Sequence, residues 1–472
     1  MEAISNYLLP IVQEINGFLA DYILIILLIG VGLFYSIRTR FVQIRCFGEG
    51  MKRVFGGISL RGGKTTGGIS SFQALATAIA AQVGTGNIVG ACGAIIVGGP
   101  GAIFWMWVIA FFGMATIYAE AVLAQDTKVV NEDGSVLGGP VYYIKKAFKG
   151  GFGKFLAVFF AVAITLALGF MGAMVQSNSI AGSISNAVSA VPAFAVGIAL
   201  AIVCAFIFIG GIKRIASVAE KIVPVMAVLY LVLGIVVLVV NFKNIPATFG
   251  AIFKYAFAPQ AIISGGIGYA LKTAISQGAK RGLFSNEAGM GSTPHAHAQA
   301  KVEKPHDQGV AAMIGVFIDT FVVLTMTALV VISTFYVKDG KILSEVAFDT
   351  VNKNNMMQIA MGQVFGTTVG GVLVAICLTF FAFTTIISWN FFGKQNVEYL
   401  VGNSKAKKPA VIIYSVIAIG FIFLGSMLSS DLVWELTDFF NYLMVLPNAL
   451  ALFALSSVVV GALKDGKKKK NK

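Results

Sequence analysis

The sequence predicts an all-α polytopic membrane protein of about eleven transmembrane helices, ten of them in two inverted sets of five behind one extra N-terminal helix. Three observations predict it. Hydrophobic residues make up 57% of the 472 and charged residues 12%, with a mean hydropathy of +0.85, whereas a soluble globular protein carries about 25% charged residues. Eleven apolar runs have the length of a span, which needs roughly 17–25 residues. Basic residues collect on one side of the loop pattern those runs create.

The runs lie at about 21–37, 69–97, 102–124, 153–176, 192–211, 218–241, 260–285, 308–337, 365–390, 409–428 and 432–462. Two further stretches, 177–190 and 345–359, read as amphipathic and interfacial. Loops alternate across a membrane, so 38–64, 125–152, 212–217, 286–307, 391–408 and the end after 463 share a side. With their flanking helix ends they hold 29 Lys/Arg. The other side holds five, Lys243, Lys254, Lys338, Lys341 and Lys353, and only Lys272 lies within a span. The positive-inside rule puts the basic side in the cytoplasm, the N-terminus outside and the C-terminus inside, as expected of a multi-pass plasma-membrane protein.

The formal net charge of +14 is therefore a topology signal. The closing "KKKKNK" reads as a solvated or lipid-facing tail, and no nucleic-acid partner is expected. The first run follows an acidic segment, so it is a retained helix and not a cleaved signal. Cys46, Cys92, Cys204 and Cys377 are too dispersed for a disulfide framework or a CxxC metal motif. The expected division is an extra helix and basic segment at 1–64, repeats at 65–241 and 242–463, and a basic tail at 464–472.

The second run contains "AAQVGTGNIVG" at residues 80–90. As one helix its 29 residues would exceed a ~30 Å hydrocarbon core, and glycine in a helix interior costs up to ~1 kcal/mol relative to alanine. An unwound centre around Gly84–Asn87 resolves both problems. Such backbone is tolerated in a bilayer only where it lines a cavity or is buried in protein. Close helix packing through Gly86 and Gly90 is the plainer reading, but it leaves Gln82, Thr85 and Asn87 unexplained. The seventh run, "GYALKTAISQGAKRGLFSNEAG", loses apolar character at Ser276, so a second interruption is expected at Ser276–Gly278. The two runs are the first members of spans 2–6 and 7–11. Five is odd, so the sets are inverted, and paired interrupted helices in inverted halves point to the midplane site of a secondary transporter.

An unwound helix offers both charge signs. N–H groups at the start of a half-helix attract an anion such as a carboxylate, and freed carbonyls at the end of the other half coordinate a cation. The expected substrate-binding residues are Gln82, Gly84, Thr85, Gly86 and Asn87, with Thr273, Ser276, Gln277 and Gly278 from the seventh span. The expected Na⁺ ligands are the carbonyls of Ala80 and Val83, with Phe381, Thr384 and Thr385 from the ninth; hydroxyl and carbonyl oxygens suit a hard cation. A Thr pair that only bonds its own i−4 carbonyl is the alternative. Charged residues within spans are functional candidates. Either Asp319 and Lys272 neutralise one another, or Asp319, with Asn87, balances a second bound cation. Glu120 and Glu220 read as capping or pairing groups at helix ends. His295, His297 and His306 fall in a loop expected to be solvated. There is no nucleophile elbow, P-loop or HExxH, so neither an enzyme nor an ATP-driven pump is expected, and no cofactor.

At Gly98–Gly113 the chain reads "GGPGAIFWMWVIAFFG". This resembles the signature of the alanine or glycine:cation symporter family, whose span pattern covers nearly the whole chain. "VGTGN" resembles the broken first core helix of sodium:neurotransmitter-type symporters with the LeuT fold. The resemblance implies a 5+5 inverted repeat in spans 2–11 and Na⁺-coupled, sometimes H⁺-coupled, symport of alanine or glycine by alternating access. It implies backbone cation ligands at Ala80 and Val83, a hydroxyl pair at Thr384 and Thr385, carboxylate-binding amides at Thr85 and Gly86, and Asn87 near substrate and a second cation. The tryptophans of the signature are expected to pack the scaffold. The chain is expected to work as a monomer. An H⁺-coupled symporter or an ion channel is the alternative.

Overall fold

The computed structural model describes residues 2–56, 69–132, 134–209, 211–258, 266–343, 346, 348, 350–402 and 404–468. The start of the seventh expected span, parts of the stretches 38–64 and 345–359, and the last four residues lie outside them.

Nearly all of the described chain is helical. The extra helix α1 (Tyr7–Arg38) precedes a short α2 (Phe47–Phe55). The first set of five opens with α3 (Ser71–Gln82), which starts in a capping box. There Ser70 Oγ accepts from Gln73 N at 3.0 Å, and Gln73 Oε1 accepts from Ser70 N at 3.1 Å, satisfying two of the amide groups a helix start leaves open. It stops at Val83 and resumes, bent by 45°, as α4 (Gly86–Gly98). Next come α5 (Gly101–Thr127), α6 (Gly150–Ala187), α7 (Ala193–Ile209) and α8 (Gly211–Val240). A connecting helix α9 (Ile245–Phe257) follows. The second set comprises α10 (Gly266–Asn286), α11 (Pro294–Ala298), α12 (Pro305–Phe335), α13 (Met356–Phe365), α14 (Thr367–Val401), α15 (Lys407–Gly425) and α16 (Ser430–Ala454). Helix α17 (Ser456–Lys468) closes the described chain.

Among the described residues eight helices are long and apolar enough to cross a membrane, and the bent pair α3/α4 makes a ninth. Helix α7 is shorter at 17 residues, and α10 is more polar than a simple span. The described part of each expected run falls mainly on helix, but three boundaries differ. Residues 177–187 form no separate interfacial helix, because α6 continues through them with Gln176, Ser177, Ser179 and Ser183 buried. Their polar side chains face protein, not water, which composition alone does not distinguish. The expected eleventh span divides at Leu455 into α16 and α17. Within 345–359, helix begins only at Met356.

Inversion shows in the packing. Helix α3 lies against α11 and α4 against α10, so the two sets present their first helices antiparallel. Ile69, before α3, fastens it to the segment after α11, donating from its N to Gln299 O at 3.3 Å and accepting from Lys301 N at 3.1 Å. The tryptophan signature packs scaffold. Trp105 Nε1 donates to Ala256 O at 3.1 Å and Trp107 Nε1 to Thr325 Oγ1 at 2.8 Å, with their rings against Phe257 and Phe253.

Helix α15 docks on α6 through Gly425, where a Cβ would stand 2.5 Å from Met174 Cα and 2.7 Å from its carbonyl oxygen. That backbone cannot yield as a flexible side chain would. Gly425→Ala is expected to destabilise the protein by about 1–3 kcal/mol, read as a lower melting temperature in detergent.

Candidate functional site

The first break is built by small residues and closed by neighbours. Helix α3 ends at Val83 (φ −77°, ψ 88°). Gly84 follows because a Cβ there would fall 2.5 Å from Thr385 Oγ1. Gly86 lets α10 approach: its Cβ would be 3.0 Å from Phe284 Cδ1 and 3.1 Å from Ser285 Cα. The loosened amides find partners. Gly84 N donates to Asn87 Oδ1 at 3.0 Å, and Thr85 N to Gln176 Oε1 of α6 at 3.1 Å. Helix α4 starts behind Thr85 with no side-chain cap.

The carbonyl side faces α14. Thr385 Oγ1 donates to Ala80 O at 2.9 Å and lies 3.0 Å from Phe381 O, while Thr384 Oγ1 lies 3.0 Å from Phe381 O. Ala80, Phe381, Thr384 and Thr385 thus gather at the end of α3 next to Val83, all fully buried or nearly so. The Thr pair does bond carbonyls of its own helix, and Thr385 also reaches across to α3. A cavity of about 900 Å³, bounded by α2, α3, α8 and α12, extends along α3 from Phe72 to Val83.

Several buried polar atoms here have no hydrogen-bond partner: Thr85 Oγ1, Gln176 Nε2, Gln82 Oε1 and Ser388 Oγ. Burying such a group unpaired costs about 1–3 kcal/mol, so these four atoms can meet a polar ligand at the first break; Thr293 Oγ1 and His297 Nε2 at the second are unpartnered as well. Gln82 Nε2 is engaged, donating to Asn286 O at 2.7 Å.

Asp319 belongs to this neighbourhood. Asn87 Nδ2 donates to its Oδ1 at 2.6 Å, and Ser285 Oγ and Thr320 Oγ1 donate to its Oδ2 at 2.8 Å each. Thr327 Oγ1 donates to Asn87 O at 2.7 Å. Among the described residues Asp319 forms no ion pair. Lys272 pairs instead with Asp21 of α1 at 3.0 Å, which removes the reading in which Lys272 and Asp319 neutralise one another.

The second break is not where the sequence reading puts it. Helix α10 runs unbroken through Thr273, Ser276, Gln277 and Gly278 to Asn286. Ser276 Oγ donates to Asp21 Oδ1 at 2.5 Å, a Cβ on Gly278 would stand 2.5 Å from Trp105 Cβ, and Gln277 lies near Gly98. These residues lie along α10 beyond Phe284 and Ser285, which are the ones that meet Gly86, so they do not join the first break. The helix parts instead at Glu287–Thr293, with positive φ at Glu287 (58°), Gly289 (94°) and Gly291 (78°). Glu120 of α5 holds this segment: its Oε2 accepts from Gly289 N at 3.1 Å and its Oε1 from Gly291 N at 3.0 Å. Asn448 Nδ2 bridges Glu120 Oε1 at 2.6 Å and Gly289 O at 2.9 Å, and is itself fixed by Tyr143. Glu287 accepts from Ser292 and from Trp389 Nε1 at 2.5 Å. Glu120 is thus no helix-end cap, whereas Glu220 does pair there, accepting from Gln73 Nε2 at 2.9 Å.

The histidines are corrected too. His295, His297 and His306 are each 1% exposed, not solvated. His295 Nδ1 is 2.7 Å from Ser292 O and its Nε2 2.8 Å from Asn396 Nδ2, a pattern that fits the neutral Nδ1–H tautomer. Sequence reading missed Gln176, Ser285, Glu287, Trp389 and Asn448. The usable signal was "SNEAGMGST", where two glycines one residue apart follow a buried-length helix.

The sequence model of the sodium:alanine symporter family matches residues 5–472. The Sodium/alanine symporter AgcS of Methanococcus maripaludis is 40% identical over 463 residues, 96% of either chain. The Amino-acid carrier protein AlsT of Bacillus subtilis is 37% identical over 469 residues, 98% of this chain and 93% of its own. Among solved structures, MhsT in complex with L-phenylalanine superposes with a TM-score of 0.56 at 14% identity, covering 85% of this chain and 99% of that one. That likeness is one of fold.

Removing the Glu120 carboxylate strands two backbone N–H groups and the Asn448 amide. Glu120→Ala is expected to cost about 3 kcal/mol or more, and Glu120→Gln less. Thermal unfolding in detergent measures both.

Proposed function

Because this chain belongs to the sodium:alanine symporter family, a family of multi-pass membrane transporters and not of enzymes, we propose that it carries a small neutral amino acid, alanine or glycine, into the cell with Na⁺. The observation that carries this reading is the first break, where unpartnered buried polar atoms stand beside a cluster of carbonyl and hydroxyl oxygens.

The N-terminus of α4, with the amides of Thr85 and Gly86 and the Thr85 hydroxyl, receives the substrate carboxylate, which takes the place of Gln176 Oε1 on the Thr85 amide. Gln176, Gln82 and Asn87 surround it. Gly84 and Gly86 let Thr385 and Phe284 close on the backbone of the break. Na⁺ sits among the carbonyls of Ala80, Val83 and Phe381 and the hydroxyls of Thr384 and Thr385. The Thr protons, now on those carbonyls, rotate away so that lone pairs face the ion. Hard oxygen donors suit Na⁺. Asp319, with Asn87, balances a second positive charge. The basic loops face the cytoplasm. H⁺ coupling is the second reading, favoured by the buried Asp319 carboxylate without an ion-pair partner.

Labelled alanine in proteoliposomes decides between them. Accumulation above equilibrium under an inward Na⁺ gradient is expected. Accumulation under an H⁺ gradient alone would replace the ion, and accumulation under neither would end the symporter reading. Thr385→Ala is expected to raise the Na⁺ concentration for half-maximal uptake about tenfold, equivalent to about 1.4 kcal/mol. Asn87→Ala is expected mainly to raise the alanine concentration needed. Unchanged values in both variants would refute the site assignment.

A further inference from the structure

A second constellation lies away from both breaks, at the end of the molecule that carries the basic loops. Cys46 directly precedes α2, Glu49 is in its first turn, and His306 is the second residue of α12. One ligand atom from each, the thiol sulfur, a carboxylate oxygen and an imidazole nitrogen, falls within 4.8 Å of the others. Cys46 is 4% and His306 1% exposed.

The imidazole is set for a ligand. His306 Nδ1 is 2.8 Å from Tyr118 Oη. With the proton on Nδ1 donated to that oxygen, the Nε2 lone pair points into the group. Nε2 is buried without a hydrogen-bond partner, and its nearest carboxylate oxygen, Glu49 Oε1, is 3.5 Å away. That is about the separation of two ligand atoms on neighbouring corners of a Zn²⁺ tetrahedron with bonds of about 2.0–2.3 Å. A neighbour that orients a ligating His through its other nitrogen is what metal sites require. Arg53 and Asp307, paired at 2.6 Å, hold the same two helices in register beside it.

We propose that Cys46, Glu49 and His306 form a site for a divalent transition-metal ion of the Zn²⁺ class. A thiolate, an imidazole and a carboxylate are the donor types Zn²⁺ takes, and three protein ligands leave a fourth position for water. The bound ion ties α2 to the start of α12. Its role is distinct from that of the transported cation, whose oxygen-only site lies at the break in α3/α4.

The test uses the purified, reduced full chain in detergent, stripped with chelator and titrated with Co²⁺. The wild type is expected to develop a near-ultraviolet thiolate-to-Co²⁺ charge-transfer band that Zn²⁺ abolishes, and to melt at a higher temperature with Zn²⁺. Cys46→Ser is expected to lose the band. His306→Gln and Glu49→Gln are expected to weaken Co²⁺ binding about tenfold or more. Should Cys46→Ser fail to fold, Glu49→Gln decides, since it keeps the size and shape of the side chain at a helix position that is not fully buried. Absence of the band in wild type, its persistence in Cys46→Ser, or unchanged Co²⁺ affinity in Glu49→Gln would overturn the proposal.

Discussion

The contact on which the rest depends is the one between Thr385 and the carbonyl of Ala80, made where Gly84 leaves no side chain in the way. Breaking a helix inside a bilayer leaves backbone groups that neither water nor lipid can satisfy. Here each is handed to a different element: an α3 carbonyl to α14, the Thr85 amide to Gln176 of α6, and the Asn87 carbonyl to Thr327 of α12. The break is therefore also the hub that fixes three neighbouring helices around one point. Its two resources, amides at the start of α4 and carbonyls at the end of α3, carry opposite partial charge and are held by side chains that a ligand can displace. A zwitterion and a cation can share such a place with few full protein charges.

The inverted counterpart solves the same problem with different chemistry. At Glu287–Thr293 the freed amides are taken by the Glu120 carboxylate, with Asn448 and Tyr143 behind it. Side chains of this kind tie the backbone amides of the segment to α5 and α16, in keeping with a structural share of the load. The first break keeps Thr85 Oγ1 and Gln176 Nε2 unpartnered. The two halves repeat a backbone device without repeating the residues around it.

What the sequence disclosed follows from what hydropathy measures. Gly84, Thr85, Gly86 and Asn87 stand out because they interrupt an apolar run at its centre, and the helix does part there. Ser276, Gln277 and Gly278 interrupt one as plainly, yet α10 continues. Ser276 is satisfied by Asp21 from α1, and Gly278 is glycine because Trp105 packs onto it. Those partners are remote in sequence, so polarity was visible and satisfaction was not. Glu287–Thr293 falls within the loop 286–307 of the sequence reading for the same reason, since nothing nearby in the chain shows Glu120 arriving from α5. Gln176 offered only a single amide at the end of an apolar run. The order of spans was legible because lengths and basic loops are properties of the chain itself.

If one break holds both amino acid and ion, the two must influence each other's affinity by the same factor. Equilibrium binding of labelled alanine to the purified protein across a Na⁺ series, with the reciprocal Na⁺ titration at saturating alanine, measures that factor directly. A rise in alanine affinity with Na⁺, matched by an equal rise in Na⁺ affinity with alanine, is the result this account predicts. Alanine affinity that does not change with Na⁺ would contradict it.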